Sequence, residues 1–232
     1  MSEYNILHVF ADRGAEADTL QNYGNVLRLS IDARKNNSSD AIKADATNLP
    51  FQDDAQFDLG WFHPPCGFVS IMSETGGGSR DDWPNLIPDS REIAERHCDH
   101  WVIENKPSEY IDEEVLLSGK MFGLGIEYKR AFETNFPVVQ PPMHGRLSPD
   151  TETSPFYYTE KSKGWWVAQK GCGGDYPTSH IAKNTIPAAY INHIMGAYSE
   201  HIDAPEIDDS NYDEEKRIER SKENNRQLVD YE

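Results

Sequence analysis

The chain has 232 residues, with 40 Asp and Glu against 22 Lys and Arg and a formal net charge of −18. That length builds one domain with a sizeable core, or a core plus a small lobe. The acidity argues against a general polyanion-binding surface, which carries the opposite balance.

The acids are spread over the whole chain, as on halophilic surfaces where high salt screens self-repulsion, so the charge reports habitat and leaves nucleic acid open as a partner. No apolar run is long enough to span a bilayer and no signal peptide is recognised, so a soluble, cytoplasmic protein is expected. Cys66, Cys98 and Cys172 are an odd number at wide spacing and contain no Cys-x-x-Cys pair, which excludes a disulfide framework. The stretch His97-Cys98-Asp99-His100 lacks residues elsewhere to complete a four-ligand set, so no metal is expected.

In chain order, YNILHVF (4–10) reads as a strand, followed by a loop opening into a short helix. VLRLSID (26–32) is a second strand ending in Asp32, and AIKAD (41–45) a short third one ending in Asp45. FDLGWF (57–62) is almost continuously apolar, as a strand buried on both faces should be. SREIAERHCD (90–99) has helical spacing, and HWVIEN (100–105) is a fifth strand. Strands alternating with helices predict an α/β parallel sheet. The segment 135–180 holds prolines, few helix signals and SPFYYTEKSKGWWVAQKGCGG, and predicts a hairpin-rich insert. Its Tyr157, Tyr158, Trp165 and Trp166 would either stack on bases or form the core of a small β lobe, the latter being the commoner use. Helical signals return at IPAAYINHIMGAYSEHI (186–202), and the polar, acidic residues 203–232 read as a disordered or frayed tail.

Ligands of open α/β sheets bind beyond the carboxyl ends of the strands. Four candidates fall there: Asp32 after the second strand, Asp45 after the third, Cys66 after the fourth and Glu104 at the end of the fifth. A strand-end acid alone is weak evidence, being often only a solvated cap, but four at successive ends form a pattern. Asp32 is placed to accept hydrogen bonds from ribose hydroxyls and Asp45 to bind an adenine amino group, which suits an adenosine-bearing cofactor. A thiol and a carboxyl beyond neighbouring strands suit covalent catalysis with a proton donor. The Pro64-Pro65 corner in front of Cys66 is rigid, a device for holding a thiol out rather than for packing it.

PPCGFVS (64–70), IENKP (103–107) and LLSGKMFGLGIEYKRAFETNFPV (116–138), in this order, resemble the DNA cytosine-5 methyltransferases, most closely the compact versions of phages and prokaryotic viruses. The resemblance covers roughly residues 5–200. It implies a Rossmann-like S-adenosylmethionine-dependent methyltransferase fold with a small β-rich inserted lobe. The divisions are 1–134 for the catalytic and cofactor-binding part, 135–180 for a target-recognition-like insert, 181–202 for the return to the catalytic part, and 203–232 for the tail. By resemblance, Cys66 is the nucleophile toward cytosine carbon 6 and Glu104 the carboxyl that protonates or hydrogen-bonds ring nitrogen 3. Asn105 helps to hold the loop, and Arg130 contacts the cytosine carbonyl. Phe10, Gly14, Asp32, Asp45, Pro64 and Asn184 correspond to the S-adenosylmethionine site, Asn184 lying in KNTIPAAY (183–190). The partner implied is double-stranded DNA with its target cytosine flipped out.

The chain departs from the family at several positions. The Phe-x-Gly-x-Gly-Gly loop is FADRGA, with Asp12 and Ala15 at two glycine positions, where side chains could crowd the cofactor. Gly67 stands where glutamine is usual, Tyr128 replaces an arginine, and Lys183 replaces a glycine. The glycine run in ETGGGSRDDW (74–83) reads either as a lid over the base or as a plain surface loop. Two rivals stay open: modification of a free cytosine nucleotide, and a degenerate methyltransferase fold kept as a binding module.

Overall fold

The alternating strands assemble into one seven-stranded sheet of order β3-β2-β1-β4-β5-β7-β6. The computed structural model describes residues 4–11, 13–34, 39–52, 54–70, 79–112, 114–143 and 154–204. Strands β1 (Tyr4–Val9), β2 (Gly24–Ser30), β3 (Asp40–Lys43), β4 (Phe57–Phe62) and β5 (Cys98–Asn105) run parallel. Strand β7 (Arg130–Thr134) is antiparallel to both β5 and the edge strand β6 (Val115–Leu117). The strand order reverses direction between β1 and β4, which puts the crevice for a ligand at the carboxyl ends of those two strands.

Strand alternation divides the core into two layers. Ile6, Val26, Trp61, Val102 and Phe132 face helix α5 (Ala188–Asp203), which buries Tyr190, Ile191, Ile194, Met195 and Tyr198 against them. Leu7, Leu29, Phe62 and Ile103 face helix α2 (Ile87–His97) through Ile93 and Ala94. Arg91 of α2 donates from Nε and Nη2 to the Glu133 carboxylate at 2.6 and 2.8 Å, fastening that helix to β7. The helical spacing predicted through Asp99 stops at His97, because Cys98 already pairs with Phe57 as the first residue of β5.

Among its described residues the insert shows no strand where a β-rich lobe was expected. Its described residues form a 3-10 segment (Pro155–Glu160), helix α3 (Lys163–Lys170) and the beginning of helix α4 (Thr178–Lys183). Local capping outweighs the β preference of its aromatics. Ser162 accepts a hydrogen bond from the Trp165 amide, and Gly171 closes α3 at φ 67°. Trp166 is fully buried, donating from Nε1 to the Tyr158 carbonyl, while Tyr157 is 56 % exposed. Trp166, Cys172, Tyr176, Ile181 and Ala182 share one cluster with Ala15 and Ile126, so the insert is packed on the loop after β1. The chain divides into two units, 1–201 and 202–232; the second is described only through residue 204. Residues 205–232 of the predicted tail and 74–78 of the glycine segment lie outside the described residues. No helix of the described residues is long and apolar enough to cross a membrane.

Candidate active site

Strand β4 ends at Phe62, and the next residues are His63, Pro64, Pro65 and Cys66. His63 makes the last ladder contact, its amide donating to the Val9 carbonyl at 3.2 Å. The prolines have no N–H to continue pairing. The corner is pinned from β5, where Asn105 Nδ2 donates to the Pro64 carbonyl at 2.9 Å. One step later Lys106 Nζ donates to Ser70 Oγ at 2.6 Å, tying together the loops that follow β5 and Cys66. Gly67 permits the close approach of Trp83: a Cβ there would collide with the indole, which accounts for the missing glutamine.

Cys66 is part-exposed and lines a cavity of about 780 Å³ together with Ser70, Lys106, Tyr128, Arg130 and Asn184. Lys106, Lys129, Arg130 and Lys183 line it, and no acid is among its described lining residues. In a chain of net charge −18 this is a local reversal of sign, suited to an anionic ligand. The other two thiols are inert by comparison. Burial, helped by Asp99, pushes Cys98 up to about 12, and burial with Asp18 pushes Cys172 up to about 11.

Beneath the cavity lies a buried charge network. Glu104 is fully buried and Arg130 3 % exposed; the guanidinium grips the carboxylate through Nε on Oε1 and through Nη2 on Oε2 at 3.1 Å. Burial by itself would favour neutral Arg130, but Glu104 overrides it and holds the guanidinium charged, far above its ordinary range. His63 Nε2 lies 3.2 Å from both Glu104 Oε2 and Arg130 Nη2, and its Nδ1 faces Glu16 Oε1 at 3.9 Å. The same Glu16 oxygen accepts the Ile186 amide at 2.9 Å, joining the loop before helix α1 (Ala17–Leu20) to the chain entering α5.

Tyr128, at the family's arginine position, has φ 36°. Its ring lies 5.4 Å from the Arg130 guanidinium and 3.0 Å from Lys170 Nζ, and its hydroxyl donates to the Lys183 carbonyl at 2.9 Å. Lys170 is 1 % exposed and donates to the Thr185 carbonyl; burial, then Arg130, pushes its pKa well below the ordinary lysine value. Tyrosine and buried lysine thus fill the space around Arg130 in place of a second guanidinium.

Of the six proposed cofactor residues, Phe10, Gly14, Asp32 and Asp45 follow β1, β2 and β3, whereas Pro64 follows β4 and Asn184 follows α4. Phe10 takes φ 61° directly after β1 and packs against the core layer that holds Leu7, Leu29 and Ala46. Gly14, at φ 77°, leaves room for the buried Arg28 guanidinium, which a Cβ would strike. Ala15 does not crowd this space, because its methyl is buried in the cluster of Trp166 and Tyr176; Asp12 lies outside the described residues. The Asp32 side chain is 65 % exposed and 3.8 Å from Arg34, open to accept hydroxyl donors. Asp45 Oδ1 accepts from the Thr47 amide and hydroxyl, which pulls its pKa down and leaves Oδ2 outward. Pro64 belongs to the pinned corner, and Asn184 Nδ2 lies 3.4 Å from His180 Nδ1. Two open carboxylates beyond adjacent parallel strands, beside an aromatic ring, fit an adenosine group. Among the described residues no group of His, Cys, Asp or Glu could hold a metal.

His63, Glu16, Tyr128 and Lys170 were not among the sequence-derived site residues. His63 stood three residues before Cys66 and was legible as a titratable group at a strand end; Tyr128 was noted in the sequence only as a replaced arginine two residues before Arg130, and Glu16 and Lys170 are joined to the site only by the fold. No family model matches the sequence, and no curated protein does. Among solved structures, the Entamoeba histolytica methyltransferase EhMeth superposes with a TM-score of 0.57 at 10 % identity, over 88 % of this chain and 100 % of that one. A methyltransferase-described protein of Bacillus halodurans, BH2331, covers 47 % of this chain and 48 % of its own at 13 % identity and a TM-score of 0.34, too low to bear on the fold. The sheet order, the antiparallel β7 and the superposition on EhMeth identify a Rossmann-like methyltransferase fold.

Proposed function

We propose that this chain transfers a methyl group from S-adenosylmethionine to carbon 5 of cytosine in DNA, through a covalent adduct at Cys66. The observation that carries the reading is Cys66 itself, a part-exposed thiol on a pinned Pro-Pro corner at a cation-lined cavity that it shares with Arg130, the partner of Glu104. The methyltransferase fold supports methyl transfer in general, and the ordered Pro-Pro-Cys, Glu-Asn and Arg-x-Phe-Glu-Thr motifs support cytosine.

Bound S-adenosylmethionine would supply an electrophilic methyl group, held by Phe10, Gly14, Asp32, Asp45, Pro64 and Asn184. Cys66 sulfur adds to carbon 6, opening the 5,6 double bond, while Glu104 in its acid form gives a proton to nitrogen 3. The ring becomes an enamine whose carbon 5 is nucleophilic. Arg130 hydrogen-bonds the ring carbonyl and fixes the Glu104 carboxyl. After transfer, loss of the carbon 5 proton to water and departure of the Cys66 thiolate restore the aromatic ring. Lys106, Lys129 and Lys183, which line the cavity, would neutralise phosphates around the flipped base.

A second reading, a free cytosine nucleotide as acceptor, is favoured by the concentration of cations within the cavity itself. DNA containing 5-fluorocytosine tests both, because fluorine blocks the final proton loss and traps the adduct. With the cofactor and molar KCl, wild type and Cys172→Ala should form a denaturation-resistant complex and Cys66→Ala none. Trapping on 5-fluoro-dCTP but not on DNA selects the nucleotide, and equal trapping in both variants overturns the Cys66 assignment.

A further inference from the structure

The grip of Arg130 on Glu104 poses a problem for the proposed chemistry. The guanidinium occupies both oxygens of the carboxylate, yet proton donation to a ring nitrogen needs the acid. A proton must therefore reach a fully buried Glu104 from a neighbour. The groups around it are few. Arg130 from β7 stays charged, and Lys170 from α3 is held by the Thr185 carbonyl and pushed toward neutrality. Tyr128 has a pKa raised by burial, and its hydroxyl is turned to the Lys183 carbonyl. His63 differs from all three. Its Nε2 is 3.2 Å from Glu104 Oε2, its other nitrogen faces Glu16, and the side chain is 16 % exposed.

We propose that His63 relays the proton between solvent and Glu104, making it the positioning and proton-relay residue of the site. The proposal rests on the cytosine reading for the destination of the proton. In the forward direction the His63 Nε2–H bond breaks and a Glu104 Oε2–H bond forms. Glu104 then passes its proton to nitrogen 3, and the neutral imidazole regains a proton from water. When the Cys66 thiolate leaves, nitrogen 3 returns its proton by the same route and His63 passes it back to water, so the relay itself neither gains nor loses a proton; the one proton released over the cycle is that from carbon 5.

Charge balance supports the assignment. Glu16 and Glu104 place two carboxylates around the imidazole against one fixed cation, Arg130, so a proton on His63 neutralises the cluster. His8 from β1 and His180 from α4 also feel His63. Both are pushed below the ordinary histidine range, first by burial, so neither competes for that proton near neutrality. Glu16 also holds the Ile186 amide, which anchors the far side of the relay to the backbone.

The test begins with the wild-type protein, labelled with 15N-histidine and titrated by NMR in molar KCl, with His63 assigned from the signals lost in His63→Gln. The His63 ring 15N signals should change clearly in Glu104→Gln and in Glu16→Gln, because each variant removes a carboxylate that faces one ring nitrogen. A His63 whose ring signals ignore Glu104→Gln overturns the relay. The second arm measures the rate of 5-fluorocytosine trapping against pH. His63→Gln and, if that variant folds poorly, His63→Asn should slow trapping at least tenfold and remove its pH dependence between 6 and 8, with DNA Kd unchanged. A variant that traps with wild-type rate and pH profile refutes the proposal. Absence of trapping in wild type refutes the cytosine reading instead, and the NMR arm then decides the His63–Glu104 coupling by itself.

Discussion

Replacing Arg130 by methionine should destabilise the protein more than removing any exposed charge. Glu104 is fully buried and Arg130 3 % exposed, and the guanidinium supplies two of the carboxylate's hydrogen bonds. Methionine fills much of the volume but leaves the carboxylate in a low-dielectric interior with His63 as its remaining described polar contact. Truncating one partner of such a pair costs about 3–5 kcal/mol, because the surviving charge stays desolvated. For a domain of this size each kcal/mol shifts Tm by roughly 2–4 °C, so Tm should fall by roughly 6–20 °C. The double variant Glu104→Leu/Arg130→Met removes both charges and should cost less than about 2 kcal/mol, since apolar replacement of a buried pair is often near neutral. Urea unfolding followed by tryptophan fluorescence in molar KCl gives both numbers and the coupling between the sites. A loss below about 1 kcal/mol in Arg130→Met, or a double variant no more stable than the single, would show that water reaches the pair and that the buried-network argument is wrong.

Asp32→Ala should weaken S-adenosylmethionine binding about tenfold by calorimetry at high salt with Tm nearly unchanged, because the carboxylate is exposed and its 3.8 Å surface pair with Arg34 contributes little; unchanged affinity removes Asp32 from the cofactor site. Stability should fall as pH drops from 6.5 toward 4. His8, His100 and His180 have folded pKa values lowered chiefly by burial, His180 to about 4, so the unfolded chain binds more protons throughout that window. His180→Gln should flatten the decline in Tm against pH, and an unaltered slope would assign the acid sensitivity elsewhere. Tm should also rise steeply from dilute buffer to molar KCl as salt screens the −18 net charge, and a Tm that is flat or falls would show that the acidity has another cause.

Much of this protein is written locally. Continuous apolar runs such as FDLGWF marked the parallel strands, because a strand covered on both faces has no polar side to show. The acids after β2 and β3, the Pro-Pro-Cys corner and the Glu-Asn pair were legible because strand-end chemistry depends on the few residues at each end. The insert was misread, since its aromatics have β preference while Ser162 and Gly171 cap a helix whose buried face, Trp166 and Lys170, only packing reveals.

What tertiary structure alone decided was the company each charge keeps. Glu104 and Arg130 are 26 residues apart in sequence, and register between β5 and β7 sets their side chains together. Glu16 meets Ile186 across 170 residues, and Lys170 of α3 meets the Tyr128 ring of the segment before β7. Sequence thus determined which groups stand at the strand ends. Burial and cross-strand contact determined which of them are held and by which partners, because those contacts depend on neighbours far away along the chain.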